Sequence, residues 1–182
     1  MIEVRWHGRG GQGAVTSVEL FAQAAISVGK YAQGFPSFGP ERRGAPVTAF
    51  SRIDDKKIKV RSGIYKPDVV IVLDSSLIGL VNVTDGLKPD GILIINTAKS
   101  PQDVKKELNF SGIVATVDAT SIARKELGVP ITNTTMIGAL LKVIGMMGLE
   151  AMKEAVEHRF GRIAQKNLNV MKRAYEETKI SN

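Results

Sequence analysis

The chain has 182 residues, 43% of them hydrophobic and 24% charged, with a formal net charge of +7; this is ordinary globular composition, enough for one domain that buries roughly 70% of its unfolded surface. It contains no cysteine, which excludes disulfides, thiolate-held iron–sulfur clusters and cysteine-based zinc sites. Its basic residues come in pairs such as Arg42-Arg43 and Lys172-Arg173, with aromatics at only 5%, so a nucleic-acid surface with stacking rings is not expected.

Residues 2–7 alternate as a strand, and Gly8-Arg9-Gly10-Gly11-Gln12-Gly13 follows as a glycine-rich loop. Apolar residues at Val15, Val18, Ala22, Ala25 and Ile26 then have helical spacing, with Gly29 as a stop. Residues 31–46 are dense in proline and glycine and read as a structured loop. Residues 47–53 and 57–61 read as two strands around an Asp54-Asp55 turn.

A βα rhythm comes next. Continuous Val/Ile/Leu runs at 68–73, 91–96 and 113–118 predict strands covered on both faces, as in a parallel sheet. Helices are expected near 75–81, 102–108 and 119–127. From Asn133 the chain reads as helical, with Asn133 or Thr134 as a cap and apolar residues at Ile137, Leu140, Leu141, Ile144 and Met147. Further helices are predicted near 150–159 and 163–179, and residues 180–182 should fray. Met1 leads directly into the first strand, so no signal peptide is expected, and no apolar run reaches the roughly 18 residues of a membrane span.

The glycine loop matches G-x-G-x-x-G in a strand-to-helix context. Glycines remove the Cβ barrier, and helix-start N–H groups favour an anion. Two specific readings fail. A dinucleotide fold wants an acid about 20 residues on, but no Asp or Glu stands between Glu19 and Glu41. A P-loop wants Lys and Ser/Thr where Ala14 and Val15 stand. A tight turn without ligand, a shared cofactor site or protein interface, and a private nucleotide site stay open.

The second unusual stretch, residues 35–46, sets Arg42 and Arg43 beside Glu41, which suits phosphate or carboxylate recognition; an exposed ion pair of little worth is the alternative. His7 borders the glycine loop, and a hydrogen-bonded structural role is its simpler reading. Asp74 and Asp118 end predicted strands and suit helix capping. With two histidines and no G-x-S-x-G, no nucleophile triad can be assembled, and no catalytic or metal-binding residue is assigned.

The two loops in order, Arg5-Trp6-His7-Gly8-Arg9-Gly10-Gly11-Gln12-Gly13-Ala14 and then Phe38-Gly39-Pro40-Glu41-Arg42-Arg43-Gly44-Ala45-Pro46, closely resemble the gamma subunit of 2-oxoacid:ferredoxin oxidoreductases. Tyr65-Lys66-Pro67-Asp68-Val69-Val70, the stretch 90–96 and Asn133-Thr134-Thr135-Met136-Ile137-Gly138-Ala139 extend the likeness over nearly the whole chain. The resemblance implies a complex that converts a 2-oxoacid and coenzyme A to acyl-CoA and carbon dioxide while reducing ferredoxin. It implies alpha, beta and delta partner subunits that hold thiamine diphosphate, magnesium and 4Fe–4S clusters, and no cofactor bound by this chain alone. Arg43-Gly44-Ala45-Pro46 resembles the pyruvate branch, while some relatives share one gamma subunit between pyruvate and branched-chain enzymes. If coenzyme A touches the chain, Gly8, Arg9, Gly10, Gly11, Gln12, Gly13, Arg42 and Arg43 are the expected contacts.

The expectation is therefore one α/β domain over residues 1–182. It has three layers, with a mostly parallel Rossmann-like sheet flanked by helices and a helical C-terminal part. It is cytoplasmic, away from membrane and nucleic acid. Two rivals remain at this stage: a free-standing NADP-linked reductase whose arginines take the 2′-phosphate, and a pure scaffold subunit.

Overall fold

The first strand, β1 (Ile2–Arg9), carries two faces in its sequence: Val4 and Trp6 point one way, Glu3, Arg5 and His7 the other. The structure, a computed structural model, describes residues 1–37 and 43–181. After β1 come helix α1 (Ala14–Ser27) and strands β2 (Tyr31–Pro36), β3 (Pro46–Asp54) and β4 (Val69–Val72). Strand β5 (Ile92–Asn96), helix α2 (Pro101–Leu108), strand β6 (Ile113–Val117) and helix α3 (Ala119–Leu127) follow. Helices α4 (Asn133–Ile144), α5 (Lys153–Phe160) and α6 (Ala164–Glu177) and a short strand β7 (Lys179–Ile180) complete it.

The strands form one sheet in the order β2-β3-β1-β4-β5-β6-β7. Strands β1, β4, β5 and β6 are parallel, while β3 is antiparallel to β1 and to β2. From β1 the chain goes out to the β2–β3 hairpin and returns on the other side as β4, so the direction of winding reverses between β1 and β4. In open α/β sheets the crevice at the carboxyl ends of two such strands is where ligands bind.

The sheet is the middle of three layers. On one face Trp6, Ile71, Leu73, Ile94 and Val117 pack against apolar residues of α1, α3, α4, α5 and α6. On the other, Val70, Val72, Leu93, Ile95 and Val114 meet Val104 of α2 together with Leu77 and Val83. The runs 69–72 of β4 and 92–95 of β5 are apolar at every position because both faces of those strands are covered.

Four expectations need correction. Residues 31–36 are a strand, not loop: β2 pairs with β3 from Tyr31–Asp54 to Pro36–Ala49. Gly34 belongs there because a Cβ would come within 2.6 Å of the Val18 carbonyl oxygen. Residues 57–61 are not a strand. The chain leaves β3 here and buries Ile58 and, further on, Ile64. Arg52 donates to the carbonyls of Ser62 and Gly63 at 2.8 and 3.3 Å, which occupies them away from any ladder.

The helix expected over 75–81 is one turn at Ser75–Leu77, ended by Gly79 at φ 92°. Residues 180 and 181 are tied down, not frayed, and Asn182 lies outside the described residues. Lys179 and Ile180 pair with β6, and Ser181 donates to Val114 at 2.7 Å and accepts from it at 3.0 Å.

Candidate functional site

At the carboxyl end of β1 the loop closes on itself. Gln12 N–H donates to the Arg9 carbonyl at 2.9 Å, and Arg9 N–H donates to Gln12 Oε1 at 2.8 Å. Gly11 and Gly13 hold φ of 93° and 82°, in the left-handed region that a side chain resists. Gly13 is the N-cap of α1 and supplies no side-chain cap. The first helical bond runs from Ser17 to Gly13 at 2.9 Å, so the amides of Ala14, Val15 and Thr16 precede it. A Cβ on Gly13 would lie 2.7 Å from Asn133 Nδ2. The start of α4 therefore abuts the start of α1.

Asp74, just beyond β4, holds this loop. It accepts from Gln12 Nε2 at 2.7 Å, Arg9 Nε at 3.2 Å and the Ser76 hydroxyl at 2.6 Å. Burial alone would raise its pKa; the bonds from Ser76 and Gln12 and the charge of Arg9 outweigh this and hold it below the ordinary carboxylate value. Arg9 also donates to Ser76 Oγ at 2.8 Å and to the Gly44 carbonyl at 3.0 Å. Its guanidinium is thus a clamp between three segments. Asp74 and Asp118 both cap the turn that follows them, accepting from Ser76 and Ser121 amides at 2.9 and 3.0 Å.

The second loop meets the first. Gly10 donates to the Ala45 carbonyl at 2.9 Å, Gly44 donates back to Gly10 at 3.0 Å, and Gly10 and Arg43 form a parallel bridge. Gly8, Arg9, Gly10, Gly11, Gln12, Gly13 and Arg43 are therefore gathered at one edge, with Arg43 exposed. Arg42 lies outside the described residues. The site joins glycine amides, a helix start and an arginine, a donor set that fits a phosphate or carboxylate.

A family model described as pyruvate ferredoxin/flavodoxin oxidoreductase matches residues 3–177. The chain belongs to the pyruvate ferredoxin/flavodoxin oxidoreductase family. It is 53% identical over 182 residues to the pyruvate/ketoisovalerate oxidoreductases common subunit gamma of Pyrococcus furiosus, covering 99% of this chain and 98% of that one. It is 52% identical over 178 residues to pyruvate synthase subunit PorC of Methanocaldococcus jannaschii, covering 97% of each. The crystal structure of pyruvate oxidoreductase subunit PORC from Thermotoga maritima superposes with a TM-score of 0.89 at 42% identity, over 100% of this chain and 98% of that one.

For this family member, sequence reasoning missed two features of the site. Neither Asn133 nor Thr134, the caps expected from sequence, stands at the N-cap of α4; both lie within the helix. The N-cap is Thr132, whose hydroxyl donates to Leu73 O at 3.3 Å, and Asn133 packs against Gly13. Arg5 was not singled out. It is 8% exposed and donates to the carbonyls of Val83 and Asp85 at 3.0 and 2.5 Å. Its only sequence signal was a charge inside an alternating strand. His7, also 8% exposed, is pushed down to about 4 by burial and by the nearby Arg5 charge, so it is neutral at pH 7.

Among the described residues no group of three or more His, Asp or Glu is placed to hold a metal ion. Among the described residues no helix is long and apolar enough to cross a membrane.

Proposed function

We propose that the chain is the gamma subunit of a multi-subunit 2-oxoacid:ferredoxin oxidoreductase, with pyruvate as the first candidate substrate. The observation that carries this is whole-length identity of about half to gamma and PorC subunits, with nearly complete cover on both sides. The complex makes acyl-CoA and carbon dioxide from 2-oxoacid and coenzyme A and passes electrons to ferredoxin. The partners are alpha, beta and delta subunits, reached in the cytoplasm. With no cysteine in this chain, the thiolates of any 4Fe–4S cluster come from those subunits. Thiamine diphosphate and magnesium are likewise assigned to them. This replaces the free-standing reductase considered from sequence.

The chain's own contribution is a border of the coenzyme A site. The N–H groups at the start of α1 and the Arg43 side chain receive phosphate oxygens, Gly11 and Gly13 keep the backbone open, and Arg42 belongs to the same set. Arg9 acts through geometry, holding Gly44 and Asp74 so that the two loops keep their register.

The test is the assembled complex carrying Arg42→Ala and Arg43→Ala. The Michaelis constant for coenzyme A should rise about tenfold or more with kcat nearly kept, since binding contacts to a charged group are lost in ground and transition states alike. An unchanged constant removes the coenzyme A assignment. Failure of the chain to co-purify with cysteine-rich and thiamine-binding subunits removes the subunit assignment itself.

A further inference from the structure

Strand β5 ends on Asn96, a polar side chain after four apolar ones. It is 7% exposed. An amide buried to that degree is costly unless its hydrogen bonds are made, and here they are. Asn96 Nδ2 donates to the Leu73 carbonyl at 2.8 Å and to Thr120 Oγ1 at 2.9 Å, and Asn96 Oδ1 accepts from the Thr120 amide at 3.2 Å. That amide is one of the donors that the first turn of α3 leaves without a helical partner. One side chain thus ties the end of β4 to the start of α3.

Leu73 lies one residue beyond β4 and is 1% exposed. Its carbonyl accepts a second bond, from the Thr132 hydroxyl at 3.3 Å, so both of its lone pairs are used. The residues that follow these two contacts in sequence are the ones that flank the glycine loop. After Leu73 comes Asp74, which accepts from Gln12 Nε2 and Arg9 Nε. After Thr132 comes Asn133, whose Nδ2 lies 2.7 Å from where a Cβ on Gly13 would stand. The Leu73 carbonyl and the Asp74 N–H share one peptide plane, so turning that carbonyl moves Asp74.

We infer that Asn96 is a positioning residue for the anion site. It acts through the Leu73 carbonyl, holding Asp74 and the start of α4 against the glycine loop, and needs no ligand contact of its own. Its effect on coenzyme A rests on the coenzyme A border proposed above; its hold on the loop does not.

The test compares Asn96→Leu and Asn96→Asp with the unaltered chain in the assembled complex. Leucine keeps the size and removes both donors, and aspartate sets a carboxylate oxygen against the Leu73 carbonyl. Hydrogen exchange read by mass spectrometry should run about fivefold faster in peptides covering residues 8–17, and change by less than about twofold over 47–53, the part of β3 paired on both sides. The Michaelis constant for coenzyme A should rise about fivefold, with a smaller change in kcat. Should neither variant fold, Thr132→Val removes the other donor to the same carbonyl and must speed exchange over 8–17 about twofold or more. Unchanged exchange over 8–17, or equal acceleration over 47–53, overturns the inference, because Asn96 is then a brace of the whole fold. Faster exchange with an unchanged constant also overturns it where Arg42→Ala plus Arg43→Ala does raise that constant. If neither set of substitutions moves the constant, the coenzyme A border fails, and faster exchange over 8–17 alone still supports the hold of Asn96 on the loop.

Discussion

The backbone N–H of Gly44 donates to the carbonyl of Gly10 at 3.0 Å. This bond joins the two glycine-bearing loops, and it requires Gly44 to sit at φ 80°. Gly44→Ala has open space for its methyl, so only backbone strain opposes it. It should cost about 1 kcal/mol in denaturant unfolding. In the assembled complex it should also raise the Michaelis constant for coenzyme A. A stability loss without any change in that constant would detach the loop register from ligand binding.

Asp74 tests the clamp. Asp74→Asn keeps shape but removes the charge that Arg9, Gln12 and Ser76 share. A loss of about 1–3 kcal/mol at pH 7 is expected from urea unfolding. The wild-type carboxyl is held below its ordinary value, so its contribution is present at neutral pH and fades as pH falls through the folded value. The variant should lack that part of the acid dependence.

His7 carries the opposite chemistry with the same direction on the pH axis. Its ordinary value of 6.5 falls to about 4 in the folded chain because burial, then Arg5, disfavours the charged ring. Between those values the unfolded state binds the proton and the folded state does not, so stability declines as pH falls from about 6.5 toward about 4. The shift corresponds to at most about 3 kcal/mol. His7→Asn should flatten this portion of the stability–pH curve. An unchanged slope from pH 6.5 to 4 would show that His7 is not the group responsible.

Gly138 sets the distance between α4 and α6. A methyl group there would collide with the Met171 backbone carbonyl, which cannot move without shifting α6. Gly138→Ala should lower stability by about 1–3 kcal/mol or more, read as a fall in Tm. An unaltered Tm would mean that the two helices separate at little cost.

Much of the frame was legible because it rests on local pattern. The runs in β4, β5 and β6 are mainly apolar, interrupted only by Thr116 and ended by Asn96, and their neighbours α2 and α3 carry the signals of Ser100 and Asp118 at the N-cap and Gly128 beyond the end. Where the reading failed, the deciding partner was distant. Residues 31–36 become a strand because β3 offers them an edge, which glycine and proline content hides. Residues 179–180 are ordered because Val114 and Ser181 exchange hydrogen bonds.

The candidate site divides in the same way. The strand, glycine loop and helix start were determined by sequence alone, since glycine's access to positive φ and the orphan amides of a helix start are local properties. The zero cysteine count likewise removed cluster chemistry from this chain without any coordinates. Only the tertiary structure decided that Arg43 lies beside Gly10, that Arg9 is engaged by Asp74, Ser76 and Gly44, and that Asn96 meets the Leu73 carbonyl. Those outcomes depend on which strand ends the sheet order brings together, and strand order is set by long-range pairing that no window of sequence contains.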